Sequence, residues 1–77
     1  MSPASVIASF GAAVRQFRER HGWSQELLAE RADLNRSYLG EVERGTVVPS
    51  LATAVKLAAA LDIPLSNLLS HCENGRS

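Results

Sequence analysis

SQELLAERADLNRSYLGEVERG, Ser24 to Gly45, is the stretch whose reading decides the fold. Ser24 is a good helix N-cap, because its hydroxyl can accept from the unpaired N–H groups of the first turn. Trp23 before it and Leu28 inside the helix are spaced to close as a hydrophobic staple. The pattern predicts a helix over Gln25 to Ala32, with Leu28, Ala29 and Ala32 facing inward. Asp33 and Leu34 make a tight turn. Asn35 caps the next helix, and Leu34 with Leu39 repeats the staple. That helix runs to about Arg44, with Leu39 and Val42 on its core side, and Gly45 ends it. Ala29 is small enough for a second helix to cross closely. Two short, separately capped helices on a tight turn form a helix-turn-helix unit, in which the first helix braces the second.

Working outward, Phe10, Ala13, Val14 and Phe17 share one face of a helix expected from about Ser5 to His21, closed by Gly22 in a left-handed conformation. Thr46 to Pro49 is an extended loop. Ser50 caps a fourth helix, whose apolar stripe reads as Leu51, Ala54, Val55, Ala58 and Leu61. Pro64 opens a short fifth helix carrying Leu65, Leu68 and Leu69. His71 to Ser77 is polar and expected to fray. The fold class is all-α: one domain over residues 1–77, a compact five-helix bundle with its folded core at about 5–70.

The bulk numbers bound the function. A chain of 77 residues has a small core and modest stability alone. Its one cysteine, Cys72, has no second thiol for a disulfide or a zinc site, which leaves a partner chain as the expected supplement. MSPAS lacks the start of a secretory signal, and Leu51 to Leu61 is broken by Lys56 and too short to span a bilayer, so a cytoplasmic protein is expected. Net charge is zero, which argues against nucleic acid. Placement argues for it: seven of the eight cations are arginine, the side chain suited to bidentate contacts with phosphate and guanine. His21 and His71 have no partner at a ligand or catalytic spacing. No cofactor, metal, small-molecule substrate or catalytic set is expected.

With these residues in view, the stretch from Ser24 to Gly45 resembles the helix-turn-helix of the phage repressor and Cro family, also called the xenobiotic-response-element family. Gln25, Ala29, Leu34, Leu39, Val42, Glu43 and Gly45 stand at family positions, and Pro49-Ser50 precedes the fourth helix as it does there. The resemblance covers Phe10 to Leu69 and implies a repressor-like bundle. The run Asn35-Arg36-Ser37-Tyr38-Leu39 with Glu43-Arg44-Gly45 is similar to restriction–modification controller proteins, which are small dimeric autoregulators. Asp33 departs from the family, which usually has glycine at this turn. Asp tolerates a left-handed backbone better than most residues.

Double-stranded DNA is therefore the expected partner, read by the second helix of the motif in the major groove. Arg36 can fork onto guanine, Ser37 can bond a base or phosphate, and Tyr38 can lie on a sugar or thymine methyl. Glu41 can accept from cytosine N4, although a carboxylate near phosphates is costly. Gln25, Asn35, Arg44 and Thr46 are expected on backbone phosphates. The family joins the positions of Arg18 and Glu43 by a salt bridge, with Arg18 sharing its remaining N–H groups with a phosphate. A homodimer on a palindromic operator is expected, its interface formed by Ile63, Leu65, Leu68 and Leu69, which look too many for one short helix to bury. Two other readings remain. A protein-interaction module of the same fold is favoured by the neutral charge and opposed by the arginine and Gln pattern. An antitoxin is opposed by the short tail after Leu69.

Overall fold

The computed structural model describes residues 2–74, and the side chains of 2–70. Five helices follow one another: α1 (Pro3–Arg20), α2 (Gln25–Arg31), α3 (Arg36–Arg44), α4 (Leu51–Leu61) and α5 (Leu65–Asn74). No strand occurs among the described residues. α1 lies across α3 and α5, while α2 packs on α3 and α4. Every helix contributes to one core: Phe10 and Val14, Leu28, Leu39 and Val42, Leu57 and Leu61, and Leu68.

The helix starts follow local chemistry. Ser24 Oγ accepts from Leu27 N at 3.1 Å, Asn35 Oδ1 from Ser37 N at 2.8 Å, and Ser50 Oγ from Thr53 N at 3.1 Å. Ser2 does the same for Ser5 N at 3.2 Å, with Pro3 in the first turn, so α1 begins earlier than Ser5. The helix ends share one device. The first four close on a residue with positive φ: Gly22, Asp33, Gly45 and Asp62. After each, the next N–H returns to the carbonyl five residues back, as in Trp23 N to Arg18 O and Leu34 N to Ala29 O. Asp33, at φ 57°, thus holds the left-handed turn where glycine is usual.

α1 and α3 meet at Gly11. A Cβ there would overlap the carbonyl oxygen of Val42 and come 2.8 Å from that of Glu43. Trp23 packs on the core, its ring stacked on His21 at 4.2 Å and covered by the Arg31 guanidinium at 4.7 Å. His21 Nε2 donates to Leu61 O at 3.0 Å, so this imidazole ties the end of α1 to the last turn of α4.

Three expectations are corrected. The inner stripe of α4 is Ala54, Leu57, Ala58 and Leu61, with Thr53, while Leu51 and Val55 are 72% and 50% exposed. A helix apolar on nearly every side has no periodicity to say which face turns inward. The surplus expected on α5 is also smaller than read. Leu68 is fully buried within the protomer, and Ile63 and Leu65 are half-buried against the same core. Leu68 therefore has no surface to give a partner, and Leu69 alone of the four is exposed. The helical run also continues past His71 to Asn74. The side chains of His71 and Cys72 lie outside the described residues.

Candidate nucleic-acid interface

Capping sets the geometry of α3. Asn35 Oδ1 is committed to the N–H groups of Ser37 and Tyr38, which starts the helix there and brings Arg36 and Ser37 into its first turn, both exposed. Leu39, Val42 and Glu43 face inward, and Gly40 is also buried. Ser37, Glu41 and Arg44 then follow at i, i+4 and i+7 on the outer side, beside Arg36. An amphipathic helix held by its inner face, with two arginines on its outer face, suits insertion into a major groove.

Behind this face lies a buried polar network. Arg18 Nε and Nη2 donate to Glu43 Oε2 and Oε1 at 2.7 and 3.0 Å, a bidentate pair. Arg18 Nη1 donates to Trp23 O at 2.8 Å. Gln25 Nε2 donates to Glu43 Oε1 at 2.9 Å. The Arg18 and Glu43 side chains are only 12% and 3% exposed. The hydrogen bond that Arg18 donates to Glu43 raises the pKa of the guanidinium above its ordinary value, against the opposing effect of burial. The network welds α1, the α1–α2 turn, α2 and α3 together, so the two halves of the motif keep one relative position.

This changes the roles of several expected phosphate contacts. Arg18 spends three of its five N–H donors within the fold, where it acts as a strut. Gln25 is half-buried, with one of its two amide hydrogens taken by Glu43. The Thr46 hydroxyl donates to Glu41 O at 3.1 Å and closes the end of α3. Asn35 caps with its oxygen, so its NH2 is what it can offer. Tyr38 is half-buried against the core with its hydroxyl 3.4 Å from Thr53 Oγ1, so only part of its side chain is accessible. Arg36, Ser37, Glu41 and Arg44 are exposed as read. Sequence reasoning missed Gly40, whose one visible signal is a glycine in mid-helix. It also missed Gly11, whose requirement lies entirely in the partner helix.

Among the described residues no group of three or more His, Cys, Asp or Glu side chains is placed to hold a metal. No helix among them is long and apolar enough to cross a membrane.

A braced, outward-facing α3 in a five-helix bundle defines the class: a DNA-binding helix-turn-helix domain. Comparison with known proteins agrees. The chain belongs to the helix-turn-helix family (HTH_3), whose pattern matches residues 14–68. It is 43% identical over 67 residues to the control protein C.BamHI of Bacillus amyloliquefaciens, covering 86% of this chain and 83% of that one. It is 37% identical over 57 residues to the transcriptional regulator SutR of Escherichia coli, covering 74% of this chain but spanning only 32% of that protein. Among solved structures it is similar to the restriction–modification controller protein C.AhdI of Aeromonas hydrophila, with a TM-score of 0.79 and 47% identity over 80% of this chain and 94% of that one. These relatives are regulators rather than enzymes.

Proposed function

We propose that this chain binds a palindromic DNA operator as a homodimer and regulates transcription, in the manner of a controller that acts on its own gene in the cytoplasm. The observation that carries the reading is the exposed Arg36–Ser37 start of α3 on a rigid, internally satisfied frame. Arg36 and Ser37 read bases, with Glu41 and the accessible part of Tyr38 beside them. Arg44, Gln25 and the Asn35 NH2 hold phosphates. The test is a gel-shift titration on the DNA upstream of its own gene at two salt concentrations. A specific band whose affinity falls steeply with salt is expected. Its absence on every duplex tried would favour an interaction module, for which the zero net charge is the argument.

Reading and gripping are separable. Arg36→Ala is expected to weaken the specific site by roughly 1–3 kcal/mol and to relax preference at one base position. Arg44→Ala is expected to weaken all sequences alike and to make the salt slope shallower by about one counterion. Both variants should melt like the parent, because both side chains are exposed. A panel of single-base operator variants checks this; an unchanged base profile for Arg36→Ala would move the reading role to Ser37 and Glu41.

The dimer reading rests on apolar surface that one copy leaves bare. Val48, Leu51, Val55 and Leu69 are 74%, 72%, 50% and 45% exposed. Beside them is an open apolar cavity of about 270 Å³ whose walls include Ile7, Phe10, Pro49 and Leu69. We assign the two-fold contact to this surface, with the outer face of α4 at its centre, and Leu69 remains from the set read in the sequence. Leu51→Glu is expected to raise the dimer dissociation constant by at least about a hundredfold, because an isologous contact counts each lost leucine twice. Sedimentation equilibrium at micromolar concentration measures it, with unchanged helical circular dichroism as the control. A parent chain that sediments as monomer would refute the dimer.

A further inference from the structure

Gly40 stands in the middle of α3, where glycine costs a helix about 1 kcal/mol relative to alanine. It is buried, and other residues' side chains cover it. A Cβ added at Gly40 would lie 3.1 Å from Arg44 Nη1, 3.9 Å from Arg44 Cζ and 3.8 Å from Gln25 Oε1. Helical side chains lean toward the N-terminus, so the residue at i+4 covers the backbone at i. Here the Arg44 guanidinium lies back along α3 over the bare Cα of Gly40. Gln25, anchored by Glu43 at 2.9 Å, forms the neighbouring wall.

We propose that Gly40 is the positioning residue for Arg44: its missing side chain is the seat in which the guanidinium lies. The seat brings the cation alongside Gln25, one turn back from the end of α3. A long side chain at an exposed helix end otherwise samples many rotamers, and holding one of them reduces the ordering cost of gripping a phosphate. The contrast with Gly11 supports this role. A Cβ at Gly11 meets backbone, whereas a Cβ at Gly40 meets the tips of two side chains, one of them the flexible Arg44. Alanine at residue 40 therefore leaves the helices where they are and displaces the guanidinium in its seat by a few tenths of an ångström.

This inference rests on the DNA-binding reading, and its test separates the two. The wild-type chain, Gly40→Ala, Arg44→Ala and the double variant are titrated against a duplex selected from a random-sequence pool on the wild-type chain, and each protein is melted. Gly40→Ala should melt roughly 4–8 °C higher, as expected for alanine in place of a mid-helix glycine. It should nevertheless bind about three- to tenfold more weakly. In the Arg44→Ala background the same change should have no further effect on binding. Wild-type affinity in Gly40→Ala would overturn the inference. So would a loss that persists without Arg44, or a lower melting temperature, because either makes Gly40 a packing residue. If the pool yields no duplex bound by the wild-type chain, the DNA-binding reading itself fails and the inference falls with it.

Discussion

Gly11→Ala is expected to destabilise the fold by about 3 kcal/mol or more, at or above the upper end of what overpacking a core usually costs. The added methyl would overlap Val42 O and crowd Glu43 O, both main-chain atoms of α3. A side chain can rotate away from an intruder, but a helix backbone moves only as a unit. α1 and α3 must therefore separate, and the Arg18–Glu43 pair stretches with them. In a domain whose whole stability is of order 5–15 kcal/mol, that loss is large. Urea melts should show a lower midpoint at an unchanged slope. For a chain of this size the melting temperature should fall by roughly 4–8 °C per kcal/mol lost. A variant that melts within about 1 kcal/mol of the parent would mean that α1 and α3 can part at little cost. The same substitution at Gly40 is expected to move stability the other way, which makes the two glycines internal controls for each other.

The second large effect is expected at the Arg18–Glu43 pair. Arg18→Ala leaves a carboxylate that is 3% exposed with only Gln25 to satisfy it, and it also frees Trp23 O. Breaking a buried pair from one side typically costs about 3–5 kcal/mol, because the stranded charge keeps its desolvation penalty without its partner. Glu43→Ala strands Arg18 and Gln25 in the same way. Replacing both with apolar residues, as in Arg18→Met with Glu43→Leu, removes both penalties and should cost less than the sum of the single changes. Strict additivity in that cycle would show that the two side chains do not act as a unit. The pH dependence follows from the direction of the Arg18 shift. A cation raised in the folded state contributes fully below its unfolded value and loses that contribution only as pH climbs through the folded one. The guanidinium already lies above the working range, so mild alkali should leave the pair intact.

Both effects depend on contacts between α1 and α3, and this is where the sequence was least legible. Nothing near Gly11 in the chain announces that its hydrogen sits against a carbonyl of residue 42. The Arg18–Glu43 pair came into view through a family resemblance, not through spacing, since 25 residues separate the two. Gln25 and Tyr38 show the same limit. Their positions on α2 and α3 were readable, but the commitment of one Gln25 amide hydrogen to Glu43 and the approach of the Tyr38 hydroxyl to Thr53 arise across the fold.

What the sequence determined by itself was local. The caps at Ser24, Asn35 and Ser50 are decided by a side chain and an N–H two or three residues away. The left-handed turn at Asp33 is decided by the torsional preference of one residue with its neighbours. The outward setting of Arg36 and Arg44 follows from the phase of Leu39 and Val42 on the same helix. What the tertiary structure alone decided was burial where composition is uniform. α4 carries alanine, leucine or valine on nearly every side, so its own sequence does not single out an inner face. Packing against α2 and α5 turned Leu57 inward and left Leu51 and Val55 bare, because burial is a property of what stands opposite a side chain. Leu68 entered the core for the same reason: the rest of the bundle left a leucine-sized space beneath α5, a fact that exists only after the helices have met.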